Sequence, residues 1–321
     1  MWDIACKEVS DSFNSKKFLL VLGLFTLFSL AAVWTGIQSY EQNLEQFRNG
    51  GGFAPEKPTL LDVFAPLLSF NMPLAAGILA LLLSYDAVSK EREEGTIELL
   101  LSYPVYRDEV INGKFIANLF TLSLALLFSY GVTSGLAVYM TGQIPSINIL
   151  IRLSFIWIGT IIYMAFFMAL GSLFSTIFRS SWRSLIAGVI ILLLSVATPF
   201  IAGFTASQIY QYDPGTNRDE VIQRTETRYG NTVVEDSNSE EISREEVRAK
   251  REQFKDKVSR LSPSNSYVNY VREMLGTATT SEINPTVSAS LDNAIGYLIF
   301  LLSQTFLMFT ASYGVFMRQD L

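Results

Sequence analysis

Two stretches, Val63 to Tyr85 and Phe115 to Thr141, contain no Asp, Glu, Lys, Arg or His. Each is long enough to cross the hydrocarbon core of a bilayer as a helix, and that property restricts the fold more than any other in the chain. Four further apolar runs are long enough as well, at about Phe18–Gln38, Leu150–Phe178, Leu185–Ser207 and Ala294–Met317, charged only at Arg152 near one edge. The expected fold class is therefore an all-α polytopic membrane protein with six transmembrane helices. Composition agrees: half of the 321 residues are hydrophobic and 17% are charged, which excludes an ordinary soluble domain.

Between the two uncharged runs lies a charged island, Asp86 to Lys114, that cannot stay in hydrocarbon. Gly95 reads as the end of the helix descending from the membrane, because glycine takes the left-handed conformation that closes a helix without steric cost. Thr96 to Ser102 reads as a short second helix with Ile97, Leu100 and Leu101 on one face. Pro104 stops it, and the next helix starts near Arg107, with Asp108 and Glu109 favouring the positive end of its dipole.

At these residues the sequence resembles the type 2 permeases of ATP-binding cassette transporters. The resemblance rests on a glutamate-rich turn, Gly-Thr, a Glu-Leu-Leu run, a Pro, an Arg and a Gly-Lys before the next span. Here these are Glu91, Glu94, Gly95, Thr96, Glu98, Leu99, Leu100, Pro104, Arg107, Gly113 and Lys114. One departure is Tyr106, where a Ser or Thr is usual, which removes the expected hydroxyl cap of the following helix. The resemblance implies that this loop holds a coupling helix that docks into a separate ATPase subunit. It further implies two ATPase copies, a permease homodimer or a paired permease, and ATP and Mg held by the ATPase rather than by this chain.

The remaining segments fit that plan. Residues 1–17 show Trp2, Ala5, Val9 and Phe13 at helical spacing, which suits an N-terminal interfacial helix. The first apolar run is too long for the core of a secretory signal, so a cleaved leader is not expected. Tyr40 to Asp62 reads as a turn-rich loop. Its Gly50, Gly51 and Gly52 lack the strand and the Gly-Lys-Ser/Thr of a phosphate loop. Asn71 and Pro73 fall mid-membrane in the second span, where proline kinks a helix. Gly131 with Gly135, and Gly171 with Ser175, are small pairs that let helices approach closely, expected within one subunit. Ser243 with Glu246 reads as a capping box that opens a helix over about Arg244 to Leu261. That helix lies in a polar insertion, residues 208–293, which separates a first block of five spans (1–207, holding the coupling loop 86–114) from the sixth span at 294–321. Asp213 to Glu240 reads as partly disordered. The short loops at Asp86–Lys114 and Arg179–Arg183 and the terminal segments carry most of the basic residues of the short loops, so both termini are expected in the cytoplasm and the insertion outside the cell membrane.

Function is bounded mostly by what is missing. Histidine is absent, Cys6 is the single cysteine, and the spans carry no ionisable group except Arg152 at an edge. That removes the usual equipment of an ion-coupled pump or an intramembrane protease. No Gly-x-x-x-x-Gly-Lys-Ser/Thr occurs, so no ATP hydrolysis, no enzymatic activity, no metal and no nucleic acid are expected of this chain. Asn71, Asn118 and Gln304 are the strongest polar groups at depth and the candidates for a translocation path. The expected function is the permease subunit of an ATP-driven exporter. The alternative from another class is a membrane scaffold that presents residues 208–293 to an extracytoplasmic protein.

Overall fold

The computed structural model describes residue 9 and residues 15–49, 58–95, 107–210, 236–276 and 286–318. All of its regular structure there is helical. Among the described residues six helices are long and apolar enough to cross a membrane, and the chain is an all-α multi-pass membrane protein. The N-terminal interfacial helix and the stretch Asp213 to Glu235 of the insertion lie outside the described residues.

The first span, α1, runs Lys16–Arg48, with Ser15 accepting the Phe18 N–H at its start. It continues ten residues past the apolar run, so half of the loop expected at Tyr40–Asp62 is helix. The second span opens at α2, Leu60–Pro66, where Asp62 accepts the backbone N–H of Thr59 at 2.6 Å. A π turn, Leu67–Asn71, joins it to α3, Met72–Ser84. The distortion expected at Pro73 is thus a π turn immediately before it, in which Met72 N–H reaches back to Leu67. A short α4, Ser89–Glu93, follows the turn at residues 85–88. The third span is α5, Arg107–Thr141, and the fourth is α6, Ile147–Ile177. The fifth is α7, Ser181–Ile209. Then come α8, Asp236–Arg260, α9, Pro263–Leu275, and the last span α10, Val287–Arg318.

Contacts divide the chain into two compact units. In the larger one, residues 1–194 and 266–321, α6 is central and packs most extensively on α10 and on α3, while α1 packs on α5 and α2. Close approach is built in by missing side chains. A Cβ at Gly36 would run into the Val63 carbonyl, one at Gly77 into Leu192, and one at Gly171 into the Ser84 hydroxyl. Gly131 and Gly135 differ, since neither has an atom within 4 Å of where a Cβ would stand. The contact within one subunit expected of that pair is not made by the described residues.

In the smaller unit, residues 195–265, Ser195 of α7 is bonded to Ser262 and Ser264, with hydroxyl separations of 3.0 and 2.8 Å. Phe254 of α8 meets the Tyr210 ring edge-on at 6.0 Å, and Arg251 donates to the Tyr210 carbonyl. The expected capping box at Ser243 does not start this helix. α8 begins at Asp236, so Ser243 lies in its interior, where a helix already under way supplies the partners that a cap would. Leu261, the expected last residue of this helix, lies past its end and is exposed.

Candidate functional site

The charged island folds back onto the bundle. The helix descending from the membrane ends at Ser84 rather than at Gly95, and the turn that follows carries Val88 into an apolar contact with Ile111, Phe316 and Tyr313. α4 then starts with N–H groups that have no partner inside the helix. Ser175, in the last turn of α6, supplies it: its Oγ accepts the Val88 N–H at 2.9 Å and the Ser89 N–H at 3.0 Å, and all three residues are buried. A return bond runs the other way. Glu93 of α4 accepts the Ser181 N–H at 2.8 Å and the Ser181 hydroxyl at 3.0 Å, so a carboxylate stands at the positive end of the α7 dipole. α4 is thus capped by a side chain of α6, and α7 by a side chain of α4. Arg92 adds a bond to the Thr176 carbonyl at 3.2 Å, Lys114 of α5 donates to the Ala87 carbonyl at 3.2 Å, and Lys114 forms an ion pair with Glu91.

Gly95 closes α4 with φ of +69°, the left-handed conformation expected of it. Beside it, Glu94 is exposed and lies 3.8 Å from Lys90, also exposed. Such a pair contributes no more than about 1 kcal/mol. The tip of α4 is therefore held from behind and open in front.

A second cluster sits toward the opposite end of α6. Arg152 is 7% exposed, and among the described residues it is the one charged side chain in the buried set. It donates to the Met274 carbonyl at 2.5 Å, in the last turn of α9, and to the Ser290 hydroxyl at 2.9 Å in the first turn of α10. A cation at the carbonyl end of a helix opposes the negative pole of its dipole. About two turns further along α6, Gly159 leaves the space that the Tyr270 ring fills, and Tyr270 donates to the Phe155 carbonyl at 2.7 Å. Tyr267 shares a hydrogen bond of 2.9 Å with Thr160 and stacks on Tyr163 at 4.7 Å. Burial pushes the Tyr267 and Tyr270 hydroxyls above the ordinary tyrosine range, which keeps both as neutral donors. Residues 152, 155, 159, 160 and 163 form one face of α6 at helical spacing, and α9 lies along it.

Residues 2–321 match the ABC-2 family transporter proteins. The chain belongs to that family. It is also similar to two curated relatives, each a probable ABC transporter permease protein NosY, one from Stutzerimonas stutzeri and one from Pseudomonas aeruginosa. Each is 36% identical over 131 residues, which cover 41% of this chain and 43% of the relative. The likeness thus spans less than half the length of either protein.

Within this ABC-2 family chain, the residues singled out from sequence fall into three groups. Glu91, Glu94 and Gly95 sit on or beside α4 as described. Arg107 opens α5. Thr96, Glu98, Leu99, Leu100 and Pro104 lie outside the described residues, as does the short helix expected over Thr96–Ser102.

The candidates for a translocation path do not converge. Asn71 is exposed and donates to the Pro66 carbonyl at 3.2 Å, within its own π turn. Asn118 donates across to the Leu83 carbonyl at 3.2 Å and so joins α5 to α3. Asn71 itself lies twelve residues before Leu83 along the second span, about 18 Å of rise. Gln304 is half-buried on α10.

Sequence reasoning missed Glu93, Arg152 and α9. Nothing near Glu93 in the chain marks it, because its partner is 88 residues away. Arg152 was placed at a span edge, with spans otherwise free of charge; the helix begins at Ile147, and Arg152 is buried inside it. α9 did leave a signal. Tyr267, Tyr270, Val271, Met274 and Leu275 recur at three and four residues and are all buried, but they follow a serine-rich run and are interrupted by Asn269, Arg272 and Glu273 within a polar insertion.

Proposed function

We propose that this chain is the membrane-spanning permease subunit of an ATP-driven exporter, moved by a separate cassette ATPase that docks at the Asp86–Lys114 island. Two ATPase copies and two permease chains form the working unit. ATP and Mg are held by the ATPase. Both chain ends face the cytoplasm, and residues 208–293 lie outside. The observation that carries this reading is the construction of α4, whose exposed Glu94–Gly95 tip is backed by bonds to α5, α6 and α7. A loop needed only to connect two spans has no use for a helix that is capped in trans by Ser175 at its start and whose Glu93 in turn caps the next span. A partner that pushes on the tip would move several spans together. Permease function in the NosY relatives and membership of the ABC-2 family support the same reading.

The test is co-expression with candidate cassette ATPases and purification in detergent. A stable complex with stimulated ATP hydrolysis is expected, and a chain that copurifies with none and alters no ATPase rate would overturn the proposal. Membership of residues 195–265 in a separate compact unit favours one additional role, recognition of an extracytoplasmic protein. Deleting residues 211–235 and 236–260 discriminates the roles. A permease still stimulates ATP hydrolysis after the deletion, whereas a pure scaffold loses all activity.

A further inference from the structure

α6 is bonded by side chains near both of its ends to a short helix that does not cross the membrane. At one end Ser175 caps α4, and Thr176 receives Arg92. Toward the other end Arg152 holds the last turn of α9, and Phe155, Gly159 and Thr160 seat its two tyrosines. Between Arg152 and Ser175 the helix contains no proline and no break. The separation is about 35 Å of helical rise. A helix packed on both flanks, as α6 is by α3 and α10, bends little and transmits an axial or rotational displacement along its length. Neither the second span, interrupted by a π turn before α3, nor α7, with Pro199 in its interior, offers such an unbroken rod.

We propose that α6 is a transmission rod: displacement of α4 by the ATPase is passed through Ser175 into α6 and delivered at its far end to α9 through Arg152. Ser175 and Arg152 are then positioning residues at the two ends. α9 is the element whose movement follows ATP. This inference rests on the permease reading above, since it takes the island as the docking point of the ATPase. It differs from a hinge confined to the second and third spans, which the covalent connections alone would suggest. The bonds at the two ends also differ in kind. The inner ones are backbone caps that can turn with α4, and the outer ones are a buried guanidinium and stacked rings that hold α9 in one register.

The experiment uses the complex with its ATPase, reconstituted in lipid nanodiscs, with Cys6→Ser and an environment-sensitive fluorophore on Asn269→Cys in α9. The probe is read without nucleotide and with ATP plus vanadate, alongside the ATP hydrolysis rate. A spectral change on trapping is expected in the otherwise native chain. Ser175→Ala and Arg152→Gln are each expected to reduce that change about fivefold while ATP hydrolysis continues. Ser175→Thr, which keeps the hydroxyl, and Arg152→Lys, which keeps a cationic donor, restore part of it. Tyr270→Phe, which removes one hydroxyl and keeps the ring, serves as a second outer-end variant should Arg152→Gln not assemble. A full-size response in Ser175→Ala or in both outer-end variants overturns the rod, and so does an absent response in a native complex that hydrolyses ATP. Loss of ATPase association by the native chain instead overturns the permease reading itself, so the two failures are separable.

Discussion

The two ends of α6 are built from different materials. Toward α9 the contacts are buried and aromatic, with a guanidinium on a helix carbonyl and a tyrosine ring filling the space over a glycine. At α4 they are the Ser175 hydroxyl on two backbone N–H groups and the Arg92 guanidinium on the Thr176 carbonyl, beside the exposed bonds from Ser181 of α7 to Glu93. Interactions of the first kind hold a helix in one place, because moving it opens a cavity and strands buried polar groups. Those of the second kind resist separation more than rotation, and water can replace several of them. The contrast points to a stable far end and a mobile near end, and it sets the order in which substitutions act.

The largest effect belongs at the α9 end. Gly159→Val would place a branched side chain where the Tyr270 ring lies, and overpacking of that kind costs about 3 kcal/mol. Thermal unfolding of the purified chain in detergent is expected to show a much lower Tm, and a Tm equal to that of the unsubstituted chain would mean that α9 is not seated on α6. Tyr267→Phe comes next. It keeps the stack on Tyr163 but removes the hydroxyl shared with Thr160, at a cost of about 1 kcal/mol in the same assay.

At the α4 end, Ser175→Ala leaves two buried N–H groups without their acceptor, which costs between about 0.5 and 2 kcal/mol. Its signature is a larger loss of ATP-dependent response than of Tm. A variant that loses both in the proportion seen for Tyr267→Phe would erase the distinction between the two ends. Glu94→Lys sits at the bottom of the stability scale, with no measurable change in Tm expected from an exposed side chain. It is expected to weaken ATPase stimulation in a titration of the ATPase against the reconstituted chain, and normal stimulation would return the tip of α4 to a solvated turn.

Much of the membrane architecture was legible in the amino-acid order because lipid imposes a coarse demand. A run such as Phe115–Thr141 without a charge has few ways to satisfy its backbone. The island was equally visible as charge between two such runs. What escaped depended on partners far away in the chain. Ser175 could be seen as a small residue, yet its capping of Val88 and Ser89 depends on two segments that meet only after folding. Arg152 was read by its position near a loop, while its burial is decided by the Met274 carbonyl 122 residues later. The box at Ser243 failed for the opposite reason: a pattern of three-residue spacing is local, and a helix already begun at Asp236 passes through it. α9 was hidden by polar residues on its outward face, although its inward stripe was complete.

The π turn at Leu67–Asn71 carries one consequence for the second span. Each π turn accommodates one residue more than an α-helix would, so everything after Asn71 is rotated by about 100° from the register that α2 would otherwise impose. Pro73 follows directly, and its carbonyl receives the Tyr163 hydroxyl at 2.7 Å. The spare residue therefore decides which flank of α3 meets the fourth span. Shortening the turn by one position would swing Ala76 and Ala80, now fully enclosed, away from their neighbours and bring bulkier side chains round in their stead.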